Sequence, residues 1–177
     1  MLTVICEQFD SAYALQRIES IAGDGSAEFE QKLFYPYFHL TARCSVPTMI
    51  GRKELTVDCL VDAINGSGAT TDPFSTEELT VPREIQLQPI WSHDEAVRVA
   101  RRTLTHRLGK KMRMIAPFDV VLESTTLIYR GFWIVRVGTG RIMLDSVTGG
   151  MQSLRASAAT QTVTSMSPVP KCRDVRS

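Results

Sequence analysis

Long apolar runs are missing from this chain. Nowhere do roughly 18 consecutive apolar residues occur, which excludes a membrane-spanning helix. Glycine and proline number 11 and 8 in 177 residues and follow no period, so collagen-like and low-complexity architectures are excluded. The histidines are only three, His39, His93 and His106. No Gly-x-Ser-x-Gly, Gly-x-x-x-x-Gly-Lys-Ser or His-Glu-x-x-His pattern accompanies them, so nucleophile, phosphate-loop and zinc-protease signatures are lacking. No cofactor or metal motif is present, and the residues that could carry chemistry point away from an enzyme. The four cysteines, Cys6, Cys44, Cys59 and Cys172, lack the close spacing of a zinc or redox motif. Cys44 and Cys59 lie in apolar-periodic segments, where a free thiol acts as a small hydrophobe. A disulfide between them stays open as an alternative. Met1 to Phe9 has neither a basic n-region nor a long apolar h-region. The expectation is a reducing cytoplasm, four free thiols and no membrane attachment.

What the chain does have is ordinary globular composition, 44% hydrophobic and 22% charged, enough for one domain or two small fused ones. The net charge of +1 hides a split. Residues 1–90 hold 6 Lys or Arg against 13 Asp or Glu, a net of −7; residues 91–177 hold 14 against 6, a net of +8. Such a division suits an anion-binding half, or two halves that attract one another within or between molecules.

Periodicity predicts a helix over Asp10 to Ile21, with Ala14, Leu15, Ile18 and Ile21 as its stripe and Asp10 or Ser11 as cap. From Glu28 to Val46 the period is two. Phe34, Phe38, Leu40, Ala42, Cys44 and Val46 share a dry face, while Tyr35, Tyr37, His39, Thr41 and Arg43 share a wetter one. Pro36 cannot donate to a ladder and predicts an edge or a bulge near Tyr35. Glu54 to Ala63 alternates as a second strand. Residues 69–88 read as a connection, with at most a short strand near Ile85 to Ile90. Ser92, followed three residues later by Glu95, is a capping box. It opens a helix with Val97, Ala100, Leu104 and Leu108 as its stripe and Gly109 as its stop. Phe118 to Ser124, Thr126 to Val137 and Arg141 to Val147 read as strands, the last two joined by a hairpin at Thr139-Gly140.

The halves also look alike. Asp10-Ser11-Ala12 matches Asp94-Glu95-Ala96, and Leu33-Phe34-Tyr35 matches Leu127-Ile128-Tyr129. Val61-Asp62-Ala63-Ile64-Asn65-Gly66 matches Leu144-Asp145-Ser146-Val147-Thr148-Gly149. The expected fold is α+β, two similar units, each a helix packed on a small antiparallel sheet. The first unit spans 1–75, a connection 76–91, the second unit 92–155, and a flexible tail 156–177.

Phe132-Trp133-Ile134-Val135-Arg136-Val137, followed by Ile142-Met143-Leu144-Asp145-Ser146-Val147-Thr148-Gly149-Gly150, resembles the closing hairpin of PepSY-type domains. In that family a helix precedes a small antiparallel sheet whose last strand ends in a Val-Asp-x-x-Thr-Gly turn. Asp94 to Leu108 takes the helix position, and the first half, with Asn65 in place of the Thr, is similar. The resemblance implies binding or peptidase regulation without catalysis.

Asp58 and Asp62 share a strand face, but four residues of strand separate them by roughly 13 Å, too far for a shared metal. The strongest constellation is basic. Arg98, Arg101, Arg102, Arg107, Lys110, Lys111 and Arg113 crowd into 16 residues with no acid after Glu95. On a helix, Arg98, Arg101 and Arg102 lie opposite the apolar stripe and lack the acids at i+4 that usually balance an exposed helix. Three functions fit. One is a non-catalytic binding or assembly module, an adaptor or regulatory subunit joined to a protein partner or to itself through the acidic and basic halves. Another is a nucleic-acid-associated protein holding phosphates on the helix at 94–113. The third is a small enzyme or ligand-binding protein with a pocket between helix and sheet, lined by Tyr35, Tyr37, Phe132 and Trp133. Because residues 156–177 carry few periodic apolar positions, deleting them should leave the melting temperature nearly unchanged; a large drop would make them part of the core.

Overall fold

The computed structural model describes residues 1–22, 26–48, 50–112 and 119–154. The elements run β1 (Leu2–Ile5), α1 (Ser11–Ala22), β2 (Ala27–Thr48), β3 (Gly51–Asp62), β4 (Gly68–Thr71), β5 (Thr76–Leu79), a short 3-10 turn (Arg83–Ile85), α2 (His93–Met112), β6 (Asp119–Val137), β7 (Gly140–Asp145) and β8 (Met151–Leu154). The eight strands form one sheet in the order β4-β3-β2-β6-β1-β5, with β7 also on β6 and β8 on β7. It is curled into a half-barrel, and strand exceeds helix, 53% to 23%. Pairing between the named strands is antiparallel except for the parallel bridge Val4–Tyr129 between β1 and β6, and an isolated parallel bridge joins Phe34 of β2 to Gln86.

The spine is β2 against β6, antiparallel from Ala27–Val137 to Ser45–Asp119. Two register shifts, at Phe29/Gln31 and Thr41/Ala42, let this long ribbon twist. The outer edge of β2 carries β3 from Tyr37 onward. Pro36 sits inside the central strand rather than at an edge. Its carbonyl accepts the Ala63 N–H, so its nitrogen points to the same side, beyond the end of the β3 ladder, where no donor is required.

Both helices lie on the face of Phe34 and Leu40, as the pairs Lys32–Trp133 and Leu40–Cys59 require. Ala96, Val99, Ala100, Leu104 and Leu108 of α2 pack on Phe38, Leu40, Ala42, Cys44, Val46, Cys59 and Val61. Burying one such leucine contributes about 1.5–3 kcal/mol. Ala14 and Ile18 of α1 pack on Trp133, Val135 and Leu144. Ile21, placed in the α1 stripe by periodicity, is 58% exposed instead. Gly68 permits the close approach of β4 to α2, since a Cβ there would collide with Thr103 and Val99. Helix α2 passes through Gly109, which no neighbour confines, and ends at Met112.

Several expectations are corrected. The two-unit α+β fold is overturned by the sheet itself. The long strands of the supposed units pair with each other instead of each building its own small sheet. The curled mixed sheet does not resemble a helix-plus-hairpin PepSY domain. The matched segments do not correspond either, so an internal repeat is not supported. Asp10 accepts the Tyr13 N–H at the start of α1, whereas Ser92, not Asp94, caps α2. Tyr35 lies opposite Arg130, and Tyr129 faces the other side of the sheet. The strands read at 118–124 and 126–137 are one strand, β6. The connection at 69–88 contains β4 and β5. The tail at 156–177 lies outside the described residues.

What the two matched Asp–Gly segments do share is a turn. Gly66 and Gly149 have φ of 73° and 68°, and each donates its N–H to the carbonyl of the aspartate four residues before. The Trp91 ring stands over Gly66 and Phe9 over Gly149. Replacing Gly149 by Val should cost roughly 1–3 kcal/mol, because a β-branched residue resists positive φ. The Gly66→Val variant should lose more, because the Cβ also meets the Trp91 ring. Thermal melts of the two variants measure both effects, and unchanged midpoints would refute the turn assignment.

Candidate functional site

The capping box forms as expected. The Ser92 N–H and hydroxyl donate to Glu95 at 2.8 and 2.7 Å, and the Glu95 N–H reaches back to the Ser92 oxygen. These bonds, with a smaller contribution from Arg98, hold the Glu95 carboxyl below its ordinary range. An acid in the first turn also complements the positive end of the helix dipole. The buried stripe of Ala96, Val99, Ala100, Leu104 and Leu108 then dictates which side meets water. Val97 is only partly buried and Val99 takes its place.

Arg98, Arg101, Arg102, Arg107 and Lys110 are all exposed. Arg113 lies outside the described residues, as does the side chain of Lys111. Among the described residues no carboxylate forms an ion pair with any of the five. The sheet behaves differently. Its four exposed arginines each have an acid: Arg43 with Glu123, Arg52 with Asp119, Arg136 with Glu28 and Arg141 with Glu30. Two of these pairs join an acid of the first half to a base of the second. The opposite charges of the halves are thus partly neutralised inside the molecule, and α2 carries the largest group of exposed cations without an ion pair among the described residues, Arg17, Lys53 and Arg83 being isolated ones.

The opposite face of the sheet holds a cluster that pattern reading missed. Arg130 donates to Asp145 at 2.9 Å, with side chains 11% and 5% exposed, and lies over the Tyr37 ring at 5.5 Å. Asp145 also accepts the Val147 N–H and the Thr148 hydroxyl. Asp62 accepts the Ile64 and Asn65 N–H groups and the Tyr35 hydroxyl. Burial first, and Asp62 second, push the Tyr35 hydroxyl above its ordinary range; burial does the same to Tyr37 against the opposing pull of Arg130. Both therefore stay protonated. The signal that could have located this cluster is Asp followed four residues later by Gly, twice, because aspartate favours turns closed by its own side chain. Tyr35 and Tyr37, expected on a wetter face, are buried here against Phe132 and Ile128.

The other candidates separate. Trp133 lies on the helix face and donates to the Phe9 carbonyl, so it does not join Tyr35, Tyr37 and Phe132 around one pocket. The clefts are shallow. One of about 340 Å³ is lined by Glu7, Gln8, Phe9, Asp10 and Tyr13, and one of about 200 Å³ by Ser26, Glu28, Arg136 and Gly138. His39 contacts Asp58 at 3.2 Å, His93 contacts Asp94 at 3.3 Å, and His106 is exposed on α2. Among the described residues no group of three or more His, Cys, Asp and Glu could hold a metal ion. Cys6, Cys44 and Cys59 are free thiols, and burial pushes that of Cys59 up to about 12.

No family model, curated protein or solved structure matches this chain. Replacing Arg130 by Met should destabilise by about 3–5 kcal/mol, because Asp145 is left buried without its cation. Replacing Tyr35 by Phe should cost about 1–3 kcal/mol through the lost donor to Asp62. Urea unfolding of both variants tests this order.

Proposed function

We propose that the protein is a non-catalytic binding or assembly module that docks the basic face of α2 on an acidic protein surface. The observation that supports it is the contrast in pairing: every exposed arginine of the sheet has an acid, while Arg98, Arg101, Arg102, Arg107 and Lys110 have none. Holding like charges close together costs about 1 kcal/mol per pair at 4 Å in bulk water, and less when screened. A negatively charged partner relieves that cost.

A nucleic acid is the second reading, since the same face suits phosphates. Against it, α2 carries no Phe, Tyr or Trp on which a base could stack, its rings being the imidazoles of His93 and His106. The enzyme reading loses support because the four aromatic residues do not converge on one cavity. We place the protein in the cytoplasm, on the strength of Cys44 and Cys59 packed as free thiols in the core. No helix among the described residues is long and apolar enough to cross a membrane.

The experiment measures binding of a polyglutamate peptide and of a DNA duplex by fluorescence anisotropy. The variant Arg98→Gln, Arg101→Gln, Arg102→Gln should fold as the parent does by circular dichroism. Its affinity for polyglutamate should fall about tenfold, since each exposed pair contributes about 0.5 kcal/mol. Raising salt should weaken the parent's binding as well. Binding of the duplex alone would establish the second reading, and a triple variant that binds like the parent at every ionic strength would reduce the basic face to a solvated surface.

A further inference from the structure

Two groups of charge stand out among the described residues that form no ion pair. One is the basic face of α2. The other is the strand at the far end of the sheet. Among the described residues strand β5 lies at an edge of the sheet and pairs with β1 alone. Its residues Thr76, Glu77 and Glu78 are exposed, and Asp72 and Glu84 are exposed close by in the chain. Among the described residues none of these four carboxylates is in an ion pair, and Arg83 is the one cation in the sequence between Asp72 and Glu84. Glu78 accepts only the Thr3 hydroxyl, at 2.7 Å.

The two surfaces belong to different strands of the sheet order. Helix α2 packs over β4 and β3, at one end of the order, and β5 closes the other. None of the described side chains Arg98, Arg101, Arg102, Arg107 and Lys110 forms an ion pair with Glu77, Glu78, Glu84 or Asp72 in the same chain. Between two molecules the geometry is open. Charge also decides how two copies can meet. Two β5 edges face to face would oppose Glu77 and Glu78 to themselves, and two α2 faces would oppose arginine to arginine. Both symmetric contacts repel, whereas the unlike pair attracts.

Building on the α2 docking reading, we infer that the acidic partner is a second copy of this chain, whose β5 edge, with Glu77, Glu78 and Glu84, meets Arg98, Arg101 and Arg102 head to tail. Such a contact is heterologous. Each molecule retains one free surface of each sign, so assembly grows with concentration beyond a dimer, into a ring or a chain.

Sedimentation velocity on the whole chain tests this, at about 0.1 M and about 1 M salt, where the screening length falls from about 10 Å to about 3 Å. The parent should form larger species as concentration rises at low salt and revert to monomer at high salt. Two charge-reversed variants are then made: Glu77→Lys with Glu78→Lys, and Arg98→Glu with Arg101→Glu and Arg102→Glu. Each alone should be monomeric, with association weakened by about tenfold or more. Mixed together they should associate, since one is then basic on both surfaces and the other acidic on both. The milder variant Glu77→Gln with Glu78→Gln should weaken association without reversal, which covers a failure of the lysine variant to fold. A parent that stays monomeric, or a β5 variant that associates as the parent does, overturns the inference. The α2 reading is judged separately: the β5 variants should still bind polyglutamate, and loss of that binding in the parent would sink both.

Discussion

The antiparallel pairing of β2 with β6 is the contact on which the other elements depend. It runs from Ala27–Val137 to Ser45–Asp119, and every further strand is attached to one of its two outer edges. On the β2 side β3 and then β4 add in turn; on the β6 side β1 and β7 divide the edge between them. Because a strand's side chains alternate, this single register also decides which residues face the helices. A slip of one residue would exchange Leu40 and Ala42 for Thr41 and Arg43 under α2. The two bulges matter in the same way, because each resets the alternation once along a ribbon too long to stay flat.

The two faces of that ribbon solve different problems. The helix face is apolar along nearly its whole length. The other is apolar and buried near Tyr37 and Phe132, and polar beyond His39. Its centre holds two buried carboxylates, each closed by its own turn and by one side chain from the spine, Tyr35 for Asp62 and Arg130 for Asp145. The first is satisfied by neutral donors alone and the second includes a cation. Register brings Tyr35 and Arg130 directly opposite one another, so the two turns dock side by side on the middle of the sheet.

Much of this was legible from residue order, where burial imposes a period. Both helices, β2, β3 and β7 carry stripes or alternation strong enough to read, and the capping box of α2 is local chemistry. What escaped had a physical cause in each case. The extra residue at Glu123 flips the phase of β6, so Val120 and Leu122 share a face with Leu127 only across a break, and one strand read as two. Strands β4 and β5, Gly68–Thr71 and Thr76–Leu79, are held by backbone bonds to a neighbour and bury too little to leave a pattern. Tyr35 and Tyr37 read as amphipathic because a hydroxyl looks wet until a buried acid is found to receive it. The basic residues of α2 were legible as a group. That they lack partners while the sheet arginines have them depends on pairings across more than 60 residues of sequence, which no local pattern contains.

The parallel bridge between β1 and β6 has a consequence for the order of folding. Val4 pairs with Tyr129, far along the chain, and β2 finds its main partner in the same later strand. Neither β1 nor the spine can close until β6 has been made. Contacts so distant in sequence impose a large loop-closure cost before they return any stability, which slows folding. Before α2 and β6 are made, the apolar face of β2 has α1 and β3 beside it. A nascent chain in that state exposes Phe34 and Leu40 to solvent, which is the circumstance in which chaperones are recruited.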